Sequence, residues 1–275
     1  MYSLNCKGRL LCWDDPIVMG ILNITPDSFY SGSRIRSDDM LLEQADRMLT
    51  DGASILDMGG LSSRPGATEI SVDEEIRRVV PAIQLLASRF PSAVISVDSY
   101  RYKVAKAALD AGASIINDIG AGKDEAMAEL AAAEHVPYIC MHMRGNPGTM
   151  QRLTDYDDVT MEVLDFFIRR KAECIGMGLT DIILDPGFGF AKTPAQNFIL
   201  LKHLRLLGIA GLPLMVGLSR KATIYKTLNI KPEDSLNGTT VMHTLALQGG
   251  AQILRVHDVK EAMEVVRLWT SYTSA

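Results

Sequence analysis

Long apolar segments are absent from this chain of 275 residues. No run reaches the roughly 18 apolar residues that a membrane-spanning helix needs. The N-terminal sequence MYSLNCKGRLLCW also lacks the apolar stretch, about 7–15 residues long, of a secretory signal peptide. We therefore expect a cytoplasmic protein with no membrane partner.

Cysteine is scarce, and its four residues, Cys6, Cys12, Cys140 and Cys174, show no CxxC spacing. Cys140 lies inside an apolar run, so we predict a buried thiol in a reducing compartment. The chain also lacks GxGxxG, Walker A and HExxH motifs, and no Ser-His-Asp set stands out. Nucleophilic and hydride-transfer chemistry are therefore unsupported.

Positive charge is not in excess, because the formal net charge is −5. A nucleic-acid surface needs a basic patch or stripe, so nucleic acid is not an expected partner. An anionic small molecule remains compatible, since a few local cations can outweigh a mildly acidic exterior. With 47% hydrophobic residues the chain can bury a large core. Its length fits one α/β barrel, a fold of about 250 residues.

Apolar, strand-like runs are what the chain does contain, and nearly every run ends in a polar residue of a kind that binds ligands. Eight such runs alternate with helix-like segments. An eight-stranded parallel barrel requires this pattern, and its chemistry lies at the C-terminal strand ends. The sequence therefore predicts an α/β fold, a (β/α)8 TIM barrel, with a site at one end. The polar residues are Asn23, Asp57, Asp98, Asn117, Asp118, His142, Asp185, Ser219, Lys221, Arg255 and His257.

One domain is expected over residues 1–275, because no linker, repeat or low-complexity tract interrupts the chain. Residues 1–13 are predicted to form a short N-terminal hairpin that turns near Lys7-Gly8 and plugs the bottom of the barrel. The domain then divides into a hairpin segment, residues 1–15, and the barrel, residues 16–275.

Helix signals follow the strands. Ser37-Asp38 and Ser71 are expected N-caps, and Ser71 with Glu74 fits a capping box. The doublet Gly249-Gly250 is expected to end the seventh helix. The predicted helices are 38–51, 72–89, 101–111, 124–134, 156–177, 194–208, 234–249 and 258–271.

Two loops are too long to be simple connectors. The first, TPDSFYSGSRIR, follows Asn23, and the second, MGGLSSRPGATEI, follows Asp57. Loops of about 12–15 residues without secondary structure are usually functional. Their Gly, Ser and Pro content suits lids that change shape over a substrate.

Two aspartates close strands whose preceding residues are apolar. Asp98 and Asp185 are therefore partly desolvated and need partners rich in hydrogen-bond donors. A flat heterocycle with adjacent N–H groups offers two parallel hydrogen bonds to such a carboxylate, whereas helix capping or a salt bridge is the alternative for either residue. Asn117, on an intervening strand, can donate and accept at once, which favours a polar pocket for a flat ring.

Cations and hydroxyls end the last two strands. Ser219 and Lys221 end strand seven, and alternation sends Arg255 and His257 of strand eight to the same side. Barrels commonly bind phosphate at these two strands, so the pattern predicts a phosphorylated ligand. Arg220 points away from its neighbours, and we interpret it as a structural ion-pair partner.

Less specific candidates complete the pocket. Asn23 and a pyrophosphate would satisfy Mg²⁺, which takes one or two protein oxygens, although an asparagine that holds its own loop is an equal alternative. Ile119, Met141, Phe188 and Phe190 could form apolar walls around a ring. Ordinary barrel packing is the alternative for each, and Phe190 is the best candidate because it lies on a loop.

Collected in order, the segments MGILNITPDSF, SSRPGA, SVDS, INDI, MHMRGNPGTMQ, ILDPGFGF, GLSRK and RVHDV resemble the signatures of the dihydropteroate synthases, from residue 19 to 259. The pairing of NITPDSF with SSRPGA is highly specific. The resemblance implies an Mg²⁺-assisted transferase of folate biosynthesis, a homodimer and a sulfonamide target. Such an enzyme joins 6-hydroxymethyl-7,8-dihydropterin diphosphate to p-aminobenzoate and releases 7,8-dihydropteroate and pyrophosphate.

The resemblance also implies roles for residues at matching positions, whereas Asp57 and His142 are left with structural or supporting roles. The implied catalytic residues are Asp27, Lys221 and Arg255. The pterin would be held by Asp98, Asn117, Ile119, Met141, Asp185, Phe190, Gly217, Lys221 and Arg255. Pyrophosphate would be held by Asn23, Arg64, Arg255 and His257, with Asn23 on the metal, and p-aminobenzoate by Phe29, Ser63, Arg64, Pro65 and Ser219.

Three positions depart from the family pattern. Ser31 stands where loop one commonly carries an acid, which leaves Asp27 as the acid of that loop. In loop two, Leu61 replaces an acid, whereas Ser63 keeps the hydroxyl of a threonine. Arg144 replaces an uncharged polar residue and is expected to add positive charge near the mouth.

Two other functions fit part of the pattern. The first is the pterin-binding module of a methyltetrahydrofolate corrinoid methyltransferase, which needs neither a p-aminobenzoate lid nor a pyrophosphate site. SSRPGA, SRK and RVH favour the synthase. The second is a barrel retained as a binding or scaffold protein, against which the intact Asn23, Asp185, Lys221 and Arg255 argue.

Overall fold

A computed structural model of the chain describes residues 1–24, 34–61, 70–120 and 122–275, without the side chains of 34–37 and 125. The eight barrel strands are β3 (Ile17–Asn23), β4 (Ile55–Gly59), β5 (Val94–Asp98), β6 (Ile115–Asp118), β7 (Tyr138–Met141), β8 (Ile182–Asp185), β9 (Met215–Val216) and β10 (Ile253–Val256). They are parallel and ordered β8-β7-β6-β5-β4-β3-β10-β9. A parallel bridge between Leu184 and Leu214 joins the two ends of this order. The predicted (β/α)8 barrel is confirmed.

Helices surround the strands, and most follow the predicted segments. They are α1 (Arg34–Asp51), α2 (Val72–Arg89), α3 (Tyr102–Ala111), α4 (Glu125–Ala133), α5 (Val159–Gly176), α6 (Pro194–Lys202), α7 (Leu204–Leu207), α8 (Ala222–Leu228), α9 (Leu236–Gln248) and α10 (Val259–Thr273). No helix within the described ranges is both long and apolar enough to cross a lipid bilayer.

Three helix predictions were wrong in detail. Helix α1 begins at Arg34, so Ser37-Asp38 lies inside it and cannot be its N-cap. The segment predicted as 194–208 is divided at His203 into α6 and α7. Helix α8 was not predicted, because its seven residues carry no side-chain cap and are too few for a clear period.

The capping predictions for α2 and α9 hold in part. The Ser71 hydroxyl accepts a hydrogen bond from the Glu74 backbone N–H at 3.1 Å, as an N-cap does. The Glu74 carboxylate pairs with the guanidinium groups of Arg77 and Arg78 rather than completing a capping box. Helix α9 ends at Gly249, as predicted, and Gly250 follows with a φ of 92° that glycine adopts without strain.

The interior of the barrel has an apolar layer at its base. Each of the eight strands contributes one side chain to this layer. Alternation along the strands then sends the next inward residues toward the opposite end, where the polar side chains lie. The layer consists of Met19, Ile55, Val94, Ile115, Ile139, Ile183, Met215 and Ile253.

The N-terminal hairpin closes this base. Strands β1 (Tyr2–Cys6) and β2 (Arg9–Trp13) pair antiparallel around a turn at Lys7-Gly8, as predicted. Leu4, Cys6 and Trp13 are buried in the same apolar cluster as the basal layer. The hairpin therefore keeps water from the lower barrel, and the polar residues lie at the opposite end.

Cys140 is fully buried, as predicted, and burial raises the pKa of its thiol.

The hairpin should contribute measurably to stability. Leu4→Ala removes a side chain that is 2% exposed, and we expect a loss of about 2–5 kcal/mol in the free energy of unfolding. Leu10→Ala makes the same change on the same hairpin at a side chain that is 68% exposed, and should cost about 0.5 kcal/mol or less. Urea denaturation measures the free energy of unfolding of both variants and of the wild-type protein. Equal losses would show that the hairpin does not plug the barrel.

Candidate active site

An arginine and two aspartates form the centre of the polar end. Arg255 of β10 donates from Nε to Asp57 Oδ2 at 2.6 Å and from Nη2 to Asp98 Oδ2 at 2.5 Å. Asn117 donates from Nδ2 to the same Asp57 oxygen at 3.0 Å. Four side chains from β4, β5, β6 and β10 are thereby joined in one network. Asp57 has the supporting role expected from the sequence, since it positions both Asn117 and Arg255.

Burial dominates the electrostatics of this network. Desolvation raises the pKa of Asp98 to about 7, although the Arg255 guanidinium opposes the shift. Burial also disfavours the charge on Arg255, but Asp57 and Asp98 more than offset it and keep the pKa of Arg255 above its ordinary value. The positive charge of Arg255 is therefore stabilised by its pairing with Asp57 and Asp98, because an isolated buried charge is costly.

A second group of polar side chains lies at the ends of β8 and β9. Asp185 is 5% exposed, and its Oδ1 accepts a hydrogen bond from the Gly187 N–H at 2.8 Å. Burial raises the pKa of Asp185, and Lys221 opposes this shift. Lys221 donates to the Phe188 carbonyl at 2.5 Å, and burial lowers its pKa to about 8 against the pull of Asp185.

Glycine keeps the space between the two cations open. A Cβ at Gly217 would lie 3.7 Å from Lys221 Nζ and 4.0 Å from Arg255 Cβ. Lys221 and Arg255 therefore lie beside the same glycine, at the end of the barrel that carries Asp98, Asn117 and Asp185. Such an arrangement of acceptors and donors suits a flat polar ring that carries an anionic substituent.

Ser219 and His257 contact each other just beyond the ends of β9 and β10. Ser219 Oγ lies 3.0 Å from His257 Nδ1, and the His257 backbone N–H donates to the same oxygen at 3.2 Å. Arg220 points away from them and binds both carboxylate oxygens of Asp258 at 2.8 Å. The prediction of a structural ion pair for Arg220 is confirmed.

Asn23 lies half-buried at the end of β3, beside the glycine that ends β4. A Cβ at Gly59 would lie 2.9 Å from Asn23 Oδ1 and 3.8 Å from Asp98 Oδ2. A side chain at Gly59 would therefore crowd the Asn23 amide oxygen and lie in contact with the Asp98 carboxylate. Within the described ranges, no group of three or more His, Cys, Asp or Glu side chains could hold a metal ion.

The apolar candidates divide into two groups. Ile119 and Met141 belong to a small buried cluster near the mouth, and half-buried Phe190 packs against it. Phe188 is fully buried in the main core, so ordinary packing accounts for it. The Lys221 ammonium lies 4.7 Å from the centre of the Phe190 ring, which places this ring beside a cation of the site.

Several predicted residues lie outside the described residues: Asp27, Phe29, Ser31, Ser63, Arg64 and Pro65. Arg144 is described, and it pairs with Glu162 while its guanidinium lies 3.8 Å from the centre of the Tyr156 ring. Glu162 offsets part of its charge, but the guanidinium still lowers the pKa values of His142 and Lys192 near the mouth.

Two buried charged residues close to the site were not predicted. Glu75 is fully buried and pairs with Arg101, which also donates to the Ile70 carbonyl at 2.8 Å. Lys192 is 4% exposed and lies against His142. Charged residues in a helix start or a loop are usually exposed, so the sequence carried no signal for either burial.

Comparison with known proteins shows which protein family the chain belongs to. Residues 19–257 match the family described as pterin binding enzyme. The chain is 43% identical over 275 residues to the dihydropteroate synthase of Escherichia coli K12, covering 99% of this chain and 97% of that one. The chain therefore belongs to the pterin-binding enzymes.

Similar solved structures identify the group within this family to which the chain is related. The Yersinia pestis dihydropteroate synthase, in complex with a sulfonamide drug, has a TM-score of 0.92 at 42% identity over the whole of both chains. The Xanthomonas albilineans synthase with 4-aminobenzoic acid also has a TM-score of 0.92, at 39% identity over 99% of this chain and 98% of that one. Within its family the chain is a dihydropteroate synthase, a transferase of folate biosynthesis.

The Arg255 network predicts a pH-dependent loss of stability. Arg255→Met leaves Asp57 and Asp98 buried without their cation, which should cost about 3–5 kcal/mol in the free energy of unfolding. The loss should be larger at about pH 8 than at about pH 5.5. In the folded variant the raised pKa of Asp98 keeps a proton on a carboxyl that is ionised in the unfolded chain, so stability falls as pH rises. Urea denaturation at both pH values measures this loss in the free energy of unfolding.

The control is Arg47→Met, which breaks an ion pair with Glu43 whose side chains are 69% and 73% exposed. It should cost less than about 1 kcal/mol at either pH. A loss for Arg255→Met that matches the control, or that does not change with pH, would contradict the buried network.

Proposed function

We propose that this barrel joins p-aminobenzoate to 6-hydroxymethyl-7,8-dihydropterin diphosphate and releases 7,8-dihydropteroate and pyrophosphate. The observation that carries the proposal is the convergence of buried acceptors and two cations at one barrel mouth. A pterin displays N–H donors that complement carboxylates, and a diphosphate complements the cations. The solved X. albilineans relative with 4-aminobenzoic acid supports the second substrate.

The pterin would lie between the two polar groups. Asp98 and Asp185 accept hydrogen bonds from ring N–H groups, and Asn117 both donates and accepts. Lys221 donates to ring acceptors, Ile119, Met141 and Phe190 supply apolar contacts, and Gly217 leaves space for the ring. Arg255 binds Asp98 through Oδ2, so a ring that donates to the same oxygen would replace the guanidinium there. Arg255 then keeps Asp57 and is free to stack on the pterin.

The diphosphate would lie at the outer edge of the mouth. Arg255 and His257 donate to its oxygens, and we assign Arg64 the same role from the family pattern. Asn23 offers one amide oxygen beside Gly59, which fits the one or two protein oxygens that Mg²⁺ takes in phosphate sites. When bound there, Mg²⁺ neutralises charge on the departing pyrophosphate.

The second substrate would be held by the two long loops and by strand β9. We assign p-aminobenzoate to Phe29, Ser63, Arg64, Pro65 and Ser219. Among these, Ser219 is described, and its hydroxyl lies against His257 at the rim. The loops would align the amine with the pterin methylene, and this positioning can contribute a large part of the rate.

The reaction would proceed by early loss of pyrophosphate. As the methylene–oxygen bond breaks, positive charge develops on the pterin methylene and negative charge on the leaving group. Arg255 and His257 stabilise that anion, and Asp27 is placed by resemblance to stabilise the cation. The aromatic amine attacks with its lone pair and then loses one proton to solvent. Its low basicity makes a strong general base unnecessary.

We further propose a homodimer in the cytoplasm, with residues 1–275 as one domain. Exposed apolar side chains on neighbouring helices support self-association: Ile199, Leu206, Val241 and Leu245 are 41–53% exposed. Cys6, Cys12, Cys140 and Cys174 are free thiols, as expected in a reducing compartment. The hairpin supports one domain, because its buried side chains share one apolar cluster with a residue from each of the eight barrel strands.

Turnover tests the proposal. Purified protein mixed with both substrates and Mg²⁺ should release pyrophosphate and form dihydropteroate, as followed by a coupled phosphate assay and chromatography. Removal of Mg²⁺ with EDTA should suppress the rate, and added Mg²⁺ should restore it, because the metal neutralises the leaving group. Absence of pyrophosphate release by folded protein would refute the function. An undiminished rate in EDTA would refute the role of the metal.

Arg255 should discriminate between ligands with and without the diphosphate. Arg255→Ala should weaken binding of the pterin diphosphate by about 10- to 100-fold, the equivalent of lost charge-assisted hydrogen bonds. Binding of 6-hydroxymethyl-7,8-dihydropterin should change little, since loss of the Asp98 ion pair offsets loss of stacking. Calorimetry measures the affinity for each ligand, with Arg47→Ala, in the exposed pair with Glu43, as a control that leaves both affinities unchanged. Equal losses for the two ligands would remove Arg255 from the pyrophosphate site.

A further inference from the structure

Lys192 occupies a cage of three acceptors beside the proposed pterin site. Its Nζ lies 2.9 Å from His142 Nδ1, 3.1 Å from the Gly187 carbonyl and 3.1 Å from the Phe190 carbonyl. An ammonium group has three N–H donors and no acceptor, so the cage satisfies all of them. The proposed reaction assigns no role to this residue.

The cage holds the loop of residues 186–191, which connects β8 to α6. Gly187 and Gly189 have φ values of 66° and 81°, and Ala191 has a φ of 49°, which is unfavourable for a residue with a side chain. A Cβ at Gly187 would lie 2.1 Å from the His142 carbonyl oxygen. The loop therefore presses against the end of β7 in a strained conformation, which persists only where surrounding contacts fix it.

The same loop supplies groups to the proposed pterin site. The Gly187 N–H binds Asp185, and the Phe188 carbonyl accepts from Lys221. Phe190 places its ring beside the Lys221 ammonium. A change in the loop would therefore shift three groups assigned to the pterin.

The charges in the cage are consistent with a lysine donor and a histidine acceptor. Burial lowers the pKa of His142 to about 2, and Lys192 and Arg144 add to this shift, so the imidazole is neutral and Nδ1 can accept. Burial lowers the pKa of Lys192 to about 7, and Asp185 opposes the shift whereas Lys221 and Arg144 add to it. The three acceptors favour the protonated form in the cage.

We infer that Lys192 is a positioning residue for pterin recognition, which acts by fixing the 186–191 loop on His142. This inference rests on the proposed pterin site. It assigns Lys192 no contact with the substrate. Its effect should therefore appear in pterin affinity and leave the p-aminobenzoate site unchanged.

The test compares two lysines that bind backbone carbonyls. Lys192→Met keeps the length of the side chain but removes the donor, and should weaken binding of 6-hydroxymethyl-7,8-dihydropterin by about 10- to 100-fold, the scale of a small misplacement of binding groups. The KM for p-aminobenzoate at saturating diphosphate should stay unchanged. Lys171→Met is the control, because Lys171 of α5 donates to the Ala210 carbonyl at 2.6 Å. It should leave pterin affinity unchanged.

A second pair of variants keeps the test informative if Lys192→Met does not fold. His142→Asn retains an acceptor near the Nδ1 position and should keep most of the pterin affinity, whereas His142→Leu should lose it. Equal affinities in this pair, or a loss in Lys192→Met no larger than in Lys171→Met, would overturn the positioning role alone. A folded wild-type protein that binds no pterin would overturn the proposed site and this inference together.

Discussion

The guanidinium of Arg255 lies between the buried carboxylates of Asp57 and Asp98, and the polar half of the barrel depends on this contact. Two carboxylates in so dry an interior cannot both be ionised without a cation beside them. Asn117 joins the same network through Asp57. The single guanidinium offsets part of the negative charge of the two carboxyl groups and holds both of them at the same end of the barrel. In the proposed complex, Asp98 would pass from the N–H donors of Arg255 to those of the pterin.

The barrel makes this contact possible by separating apolar and polar layers. Alternation sends one apolar residue of each strand to the base, where the hairpin covers them. The next inward positions carry Asp57, Asn117, Asp185 and Arg255, which face the open end. The apolar layer helps to exclude water from these side chains. This burial raises the pKa values of Asp98 and Asp185 and lowers that of Lys221. The chemistry of the mouth follows from the packing beneath it.

The sequence predicted the features that depend on residue type and period. The polar strand ends, the hairpin and the outward ion pair of Arg220 follow from alternation, turn residues and charge. It could not predict features that depend on which side chains meet across the barrel. Neither the Arg255–Asp98 contact, between residues 157 positions apart, nor the burial of Lys192 has a local signal. Helix α8 was missed because seven residues give too short a period. Helix α1 was predicted, but it begins at Arg34, before the expected cap at Ser37-Asp38.

The most direct test of this account is a crystal structure of the protein with 6-hydroxymethyl-7,8-dihydropterin bound, compared with the ligand-free crystal structure. The decisive quantity is the separation of Arg255 Nη2 and Asp98 Oδ2, which is 2.5 Å in the structure described above. We expect this contact to open, pterin N–H groups to bind Asp98, and Arg255 to keep its bond to Asp57. A bound pterin with the Arg255–Asp98 contact intact would contradict this account.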